Sequence, residues 1–296
     1  MKITASFAEA RSLCRGTTGL VPTMGFLHEG HLALVAAARE QSGTVLASLF
    51  ANPLQFDEAA DWDRYPRDVA RDARLLEQGG CDVLFAPGVA EMYPEPPLAR
   101  VSLQVVAGEM EGAHRPDHFE GVATVVAKLF AGLRPDRAYF GRKDAQQLAV
   151  VTRMAADLSF PIEVIGRPTV RETDGLALSS RNVFLGRGER ASALALWRGL
   201  SAAAEAVSAG ERSGAVLEGI VRDELERTDG VAPEYAVLAD ATRATRIPGL
   251  DRTAFLATAA RVGPVRLIDN IWLEPDGGID PGVCLDHPSI LYAGGD

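Results

Sequence analysis

Through the first 170 or so residues, short apolar runs of Val, Leu and Phe alternate with stretches in which apolar residues recur every three or four positions. The runs predict buried strands, the spaced positions predict helices, and their alternation predicts a parallel sheet covered by helices. TTGLVPT (17–23) reads as a strand, after which Leu27, His31, Leu34, Val35 and Ala38 fall on one side of a helix. TVLASLFAN (44–52) and CDVLFAP (81–87) read as the next two strands, joined by a helix from Asp63 to Gly79. A third helical stretch, GVATVVAKLFAGLRP (121–135), places Val122, Val125, Val126, Leu129, Phe130 and Leu133 at helical spacing, and Arg134-Pro135 closes it before the strand RAYFG. AQQLAVVTRMAADLS then reads as a helix and IEVIGRPTV as a strand.

After NVFLGRGER the pattern changes, which puts a domain boundary in the interval 182–188. Ala-rich helical segments (189–227) are followed by EYAVLAD, TAFLATAARVG and VRLIDN, which read as strands. The predicted organisation is α/β: a doubly wound parallel sheet over 1–184 and a smaller mixed α+β domain over 185–270. The stretch 271–296 is rich in Gly, Pro and Asp with little periodicity, and reads as a tail.

A chain of 296 residues exceeds the size at which one core usually keeps growing, in keeping with two domains. Its formal net charge of -10 disfavours nucleic acid and anionic membrane as partners, so an anionic ligand must be held by local features. The three cysteines, with no Cys-x-x-Cys spacing, suggest neither a disulfide framework nor a zinc site, and cytoplasm is the expected compartment. MKITASFAEARSLCRG lacks the apolar run of a signal peptide, and no stretch reaches membrane-spanning length.

Four short motifs sit where a strand is predicted to end, which is where ligands bind in an open parallel sheet. In PTMGFLHEGHLALV (22–35), His28 and His31 stand three residues apart around Gly30. On a helix N-terminus they would face an anion together with unpaired N–H groups, and Gly30 would let a phosphate approach the backbone. The ordinary alternative makes His28 a helix cap and His31 a half-buried residue. FANPLQF (50–56) offers the neutral amides of Asn52 and Gln55, suited to hydroxyl or carboxylate recognition, or is an ordinary turn around Pro53. GRKDAQQL (141–148) places Lys143 as a mobile charge for a phosphate and Gln147 one turn on, or is a solvated helix start capped by Asp144. RETDGLALSSRN (171–182) sets Ser179, Ser180 and Arg181 in sequence, a set that suits polyphosphate oxygens but is also a common loop composition. Gly-x-Gly-x-x-Gly and the P-loop pattern are both absent.

VPTMGFLHEGHLALV, FANPLQF, RYPR with VLFAP and EMYP, HRPDHFEGVATVVAKLF, YFGRKDAQQL and PTVRETDGLALSSRN run in the order found in the pantothenate synthetase (pantoate beta-alanine ligase) family, which the chain resembles over roughly 18–185, and more weakly to RLIDN. That family lies in the nucleotidylyltransferase superfamily, marked by His-x-Gly-His. The resemblance implies a Rossmann-like fold of that type and an ATP-dependent condensation of pantoate with beta-alanine. Pantoate would attack the alpha phosphorus of ATP to give pantoyl adenylate and pyrophosphate, and beta-alanine would then displace AMP. It further implies that Met24, Gly25, Phe26, Leu27, His28, Glu29, Gly30 and His31 line the ATP site, with His31 as proton donor. Gly141, Arg142, Lys143 and Asp144 would contact the nucleotide, Val170 would do so through its backbone, and Leu178, Ser179, Ser180 and Arg181 would form the loop over the triphosphate. Gln55 and Gln147 would hold pantoate with Asn52 nearby, and His28, His31, Lys143 and Arg181 would carry the catalysis.

Magnesium would bridge phosphate oxygens, with Asp72 as an acidic helper or else a solvated residue of its helix. HRPDH looks like a metal pair, but Pro116 opposes a shared helical turn and points to a structural or interface role. The family implies a homodimer and a small C-terminal lid domain. Leu178 stands where it usually has methionine, a swap of similar volume, and the segment after 270 extends beyond its typical end. A second reading is an adenylyltransferase of the same superfamily acting on a phosphorylated acceptor, which would need a further cation where this chain offers amides. A third is a noncatalytic nucleotide-binding module.

Overall fold

The apolar runs and helical stretches resolve, in a computed structural model that describes residues 1–55, 62 and 65–292, into two compact units. One is Met1–Gly141 with Val150–Arg167; the other is Arg142–Ala149 with Pro168–Asp296. The boundary predicted at 184/185 lies inside the second.

In the first unit, β1 (Lys2–Thr4), β2 (Thr18–Thr23), β3 (Thr44–Leu49), β4 (Val83–Phe85), β5 (Arg137–Gly141) and β6 (Glu163–Arg167) form a six-stranded sheet. Its order is β1-β4-β3-β2-β5-β6 and every neighbouring pair is parallel. The helices are α1 (Phe7–Leu13), α2 (Glu29–Gln41), α3 (Val69–Gln78), the one-turn α4 (Val89–Met92) and α5 (Glu111–His114), α6 (His118–Leu133) and α7 (Ala145–Asp157), of which Ala145–Ala149 belong to the second unit. Alternation along the strands sends Val21, Val45, Ala47 and Leu84 to one face, where they pack with Leu34, Val35 and Ala38 of α2 and Leu76 of α3. On the other face Phe7 of α1 meets Phe85 at 4.6 Å between ring centroids. Helix α6 comes so close there that a Cβ on Gly132 would lie 2.4 Å from the Phe7 ring.

Both faces are covered, as a doubly wound sheet requires. Lys2–Thr4 and its helix α1 were not predicted; three residues are too few to show a period. Of the predicted helix from Asp63 to Gly79, Asp63 and Arg64 lie outside the described residues, as does Phe56 of FANPLQF. The strand order reverses between β2 and β5, so the segments following β2, β3 and β5 leave the carboxyl ends of strands at or beside the switch point.

IEVIGRPTV, predicted as one strand, divides at Pro168, which has no N–H for a ladder. β6 stays in the first sheet and β7 (Val170–Arg171) belongs to the second unit. There α8 (Arg187–Ser208) and α9 (Gly214–Glu226) pack on an antiparallel sheet of β8 (Val231–Asp240), β9 (Ala254–Val262), β10 (Val265–Leu273) and β11 (Ile279–Asp280). Leu196, Leu200, Leu217 and Val221 meet Leu238, Leu256 and Ile271 in its core. The 271–296 stretch is not a structureless tail: Ile271–Leu273 finish β10, β11 adds an edge strand, and β12 (Val283–Cys284) pairs in parallel with β7. Two-residue strands leave no periodic signal, which is why the pattern missed them.

One fully buried ion pair holds this unit's strands together. Arg171 Nη1 and Nη2 donate to Asp269 Oδ2 at 2.6 Å and Oδ1 at 3.0 Å, and the guanidinium lies 4.0 Å from the Trp197 ring centroid. Its Nε donates to the Pro281 carbonyl. Removing one partner of such a pair strands a charge in the core. Asp269→Ala is therefore expected to cost about 3–5 kcal/mol of stability, read by urea denaturation followed by circular dichroism; a loss under about 1 kcal/mol would contradict the account.

Candidate active site

The first unit builds its site on the turn after β2. Gly25 (φ +96°) and Phe26 (φ +52°) both occupy left-handed backbone, which is unfavourable for a phenylalanine. Asp72, on α3, holds the turn: its Oδ2 accepts from the Phe26 N–H at 2.7 Å and its Oδ1 from the Leu27 N–H at 2.8 Å. The φ of Gly25 favours glycine, and a Cβ there would sit a tight 3.1 Å from the same carboxylate. Arg71 donates to the Leu27 carbonyl and lies beside Asp72 Oδ1 at 3.4 Å. Leu27 itself is buried in the core beneath α2, so it can offer a ligand only its backbone.

The turn delivers the histidine pair to the start of α2. His28 is the N-cap, its Nδ1 accepting the Gly30 N–H at 3.2 Å, while the His28 N–H donates to His31 Nδ1 at 3.3 Å. The capping alternative for His28 is thus true without excluding the ligand role. With both Nδ1 atoms accepting, a neutral ring carries its proton on Nε2, and the two ring centroids lie 4.1 Å apart.

After β3, Asn52 and Gln55 are both buried. Asn52 Nδ2 donates to Gln55 Oε1 at 3.2 Å and to the Gly121 carbonyl at 3.0 Å. Its Oδ1 accepts from the Tyr93 hydroxyl and the Leu54 N–H. Burial pushes the Tyr93 phenol up to about 12, which keeps that hydroxyl a donor. Every polar side-chain atom of Asn52 is engaged inside the protein, which corrects its assignment as a substrate contact: it orients Gln55, whose Nε2 reaches Met24 Sδ. Arg115 Nη2 and His118 Nδ1 both lie on the Gln55 carbonyl, at 3.1 and 3.0 Å. HRPDH is therefore a support for this turn. Gly121 lets α6 approach it, since a Cβ there would fall 2.3 Å from the Leu54 carbonyl oxygen.

Asp72 does not fit the magnesium role. It is 1% exposed, not a solvated helix residue, and both oxygens receive backbone N–H groups. Among the described residues no group of three or more His, Cys, Asp or Glu stands together to hold a metal ion.

In the second unit, Arg142–Asp144 form a single 3₁₀ turn leading into α7, directly after Gly141 ends β5. Asn270 Nδ2 donates to the carbonyls of Arg142 at 3.0 Å and Lys143 at 2.7 Å, and the Arg142 guanidinium lies over the Trp272 ring. Lys143, Asp144 and Gln147 remain partly exposed, whereas neighbouring Gln146 is buried. Leu178 is buried, its N–H on the Val170 carbonyl, a site where its chemistry matches methionine's. Ser179 Oγ accepts the Arg181 N–H, opening a 3₁₀ turn over Ser180–Phe184. Asn182 locks that turn, Nδ2 donating to Glu172 Oε1 at 2.7 Å and to the Ala177 carbonyl at 3.1 Å. Glu172 is held in turn by a two-pronged bond from Arg190.

Asp72, Asn182, Glu172, Asn270 and the Arg115/His118 pair are positioning groups; the sequence offers Asp72 as a magnesium helper and assigns no role to Asn182, Glu172 or Asn270. Of the rest only HRPDH carried a visible signal, two histidines in a chain with five.

The family model for pantoate-beta-alanine ligase matches residues 2–272, leaving β11 and β12 outside. The pantothenate synthetase of Geobacillus kaustophilus (strain HTA426) is 51% identical over 258 residues, 87% of this chain and 86% of that one. That of Roseiflexus sp. (strain RS-1) is 47% identical over 277 residues, 93% of this chain and all of that one. The crystal structure of pantothenate synthetase from Thermus thermophilus superposes with a TM-score of 0.88 at 47% identity, covering 93% of this chain and 99% of that one. The pantoate-beta-alanine ligase of Francisella tularensis, solved with beta-gamma ATP and beta-alanine, gives a TM-score of 0.75 at 30% identity, covering 95% and 100%.

Burial raises the Asp72 carboxyl above its ordinary value, opposed by the two backbone N–H groups and by Arg71. The folded chain then binds this proton more tightly than the unfolded chain, so this group stabilises the fold as pH falls through its raised value and that contribution is lost as pH rises through it. Asp72→Asn cannot titrate and leaves one buried N–H facing an amide NH₂, a loss of about 1–3 kcal/mol at pH 7. The stability gap in favour of the parent chain is expected to widen as pH falls below 7, by denaturation at matched pH values; a gap that narrows contradicts this reading.

Proposed function

The chain belongs to the pantoate-beta-alanine ligase family, and from that premise we propose how its residues divide the work of the reaction. It is a pantothenate synthetase that condenses pantoate with beta-alanine at the expense of ATP. The observation that carries the division is the His28-x-Gly-His31 cap at the carboxyl end of β2, where a helix N-terminus and two imidazoles face one place.

A pantoate carboxylate oxygen bonds to the alpha phosphorus of ATP as the bond to the bridging oxygen breaks, and pyrophosphate leaves with that electron pair. The amine of beta-alanine then bonds to the acyl carbon, the acyl–oxygen bond breaks, AMP leaves and the amine sheds a proton. Neither step needs a covalent enzyme intermediate; both need anions oriented and charge spread at phosphorus. In the first unit, His28 and His31 donate from Nε2 to phosphate oxygens, with His31 the proton donor. The backbone of Met24–Gly30 approaches the nucleotide, and Gln55 binds pantoate. Gly141, at the end of the first unit's β5, lines the nucleotide as well; in the second unit, Lys143 meets the phosphates, Arg142 to Asp144 and the Val170 backbone line the nucleotide, Ser179, Ser180 and Arg181 hold the triphosphate, and Gln147 binds pantoate.

Magnesium would be carried with the ATP phosphates and would neutralise charge there; among the described residues no group of three or more His, Cys, Asp or Glu stands together to hold it. The enzyme works as a homodimer in the cytoplasm, which accords with three unpaired cysteines and with no helix among the described residues being long and apolar enough to cross a membrane.

Exchange of labelled pyrophosphate into ATP, with pantoate and without beta-alanine, tests adenylation directly. Exchange is expected only when pantoate is present; exchange without it, or none in any mixture, contradicts the reading. Loss of one transition-state donor typically costs about 10²–10³-fold in rate. His31→Ala is expected to slow exchange by that order while weakening ATP binding less than about tenfold. Equal losses in rate and binding would assign His31 to ground-state binding instead.

A further inference from the structure

The segment beyond the family match attaches at three points of the second unit, each on an element that carries proposed nucleotide residues. The Asp280 carboxylate, at the end of β11, accepts from Arg142 Nη1 at 2.6 Å, and its other oxygen is fixed by the Gly282 N–H at 3.0 Å. Arg142 immediately precedes Lys143. Next, β12 lies along β7: the Val283 N–H donates to the Thr169 carbonyl at 2.7 Å and the Leu285 N–H to the Arg171 carbonyl at 2.9 Å. Gly282 (φ +90°) makes this pairing possible, since a Cβ there would meet the Thr169 carbonyl oxygen at 2.3 Å. Finally the Tyr292 hydroxyl donates to Glu172 Oε1 at 3.0 Å, the same oxygen that receives Asn182 of the Ser180–Phe184 turn. Leu291 is buried beside it. Burial and the facing Glu172 push the Tyr292 phenol up to about 12, so it remains a donor.

We propose that residues 279–292 are a positioning strap that pre-orders the Arg142–Asp144 and Leu178–Arg181 segments and thereby sets the affinity for the ATP triphosphate. The proposal rests on the adenylation reading above. Arg142–Asp144 is one 3₁₀ turn and Ser180 and Arg181 open another, and ordering such turns only when ligand binds would subtract from affinity. Asp280 fixes the first from the side of Arg142; Tyr292, through Glu172 and Asn182, fixes the second. Asp280 and Tyr292 are thus positioning residues, without contact to the reacting atoms.

The test compares the full chain, a chain ending at Gly278, Asp280→Asn and Tyr292→Phe. Affinity for a β,γ-methylene analogue of ATP is measured by calorimetry, beside the KM for each substrate. The shortened chain is expected to raise the analogue Kd and the KM for ATP about tenfold, the scale of one or two charge-assisted hydrogen bonds, and each single variant about threefold. In Tyr292→Phe the KM for pantoate and the melting temperature stay at the parent values. Unchanged analogue affinity in the shortened chain and in Tyr292→Phe overturns the strap, as does a joint shift of all three KM values with the melting temperature, the mark of a merely structural role. Should the shortened chain not fold, the two single variants decide by the same readings. Absence of pantoate-dependent exchange in the full chain defeats the adenylation reading and the strap with it; normal exchange with unchanged analogue affinity defeats the strap alone.

Discussion

The carboxylate of Asp72 against the backbone of Phe26 and Leu27 is the contact on which the first unit's site depends. A strand must become a helix within a few residues, and the backbone does so through two consecutive left-handed positions. Left-handed backbone at a phenylalanine costs about 1–2 kcal/mol, and it persists where the surroundings over-determine it. Here two short hydrogen bonds from a buried carboxylate do so, and Leu27 buried under α2 prevents the turn from rolling away. Only then do His28 and His31 meet at the helix start with their Nδ1 atoms turned inward onto the backbone.

A second constraint is charge. The protein is acidic overall, with a formal net charge of -10, yet its reaction uses polyanions. Long-range attraction is not available, so binding a polyanion would fall to local donors such as the helix N-terminus and the imidazoles proposed for the nucleotide. Gln55 is buried and scaffolded by Asn52, Tyr93, Arg115 and His118, which together fix its backbone and side chain before any ligand arrives. Buried amides of that kind discriminate strongly, because a ligand that fails to pair with them leaves polar groups unsatisfied.

The parallel sheet was legible because each strand is a run of apolar residues and each long helix repeats its apolar positions; the histidine pair was legible because its spacing suits a helix start. What was not legible had no period or depended on distant partners. Asp72 looks like any acidic residue on a polar helix face until the fold brings it 46 positions back to Phe26. Asn52 reads as a ligand group, and only its four internal partners show it to be an orienter. Pro168 cut a strand that hydropathy joined, and β11 and β12 are too short to register as strands at all.

Attack of pantoate's own carboxylate oxygen on the alpha phosphorus is read by running the complete reaction with pantoate carrying ¹⁸O in both carboxylate positions. One labelled oxygen is predicted in AMP and one in the amide carbonyl of pantothenate, with none in pyrophosphate. Label in inorganic phosphate or pyrophosphate, or AMP free of label while pantothenate forms, would contradict it.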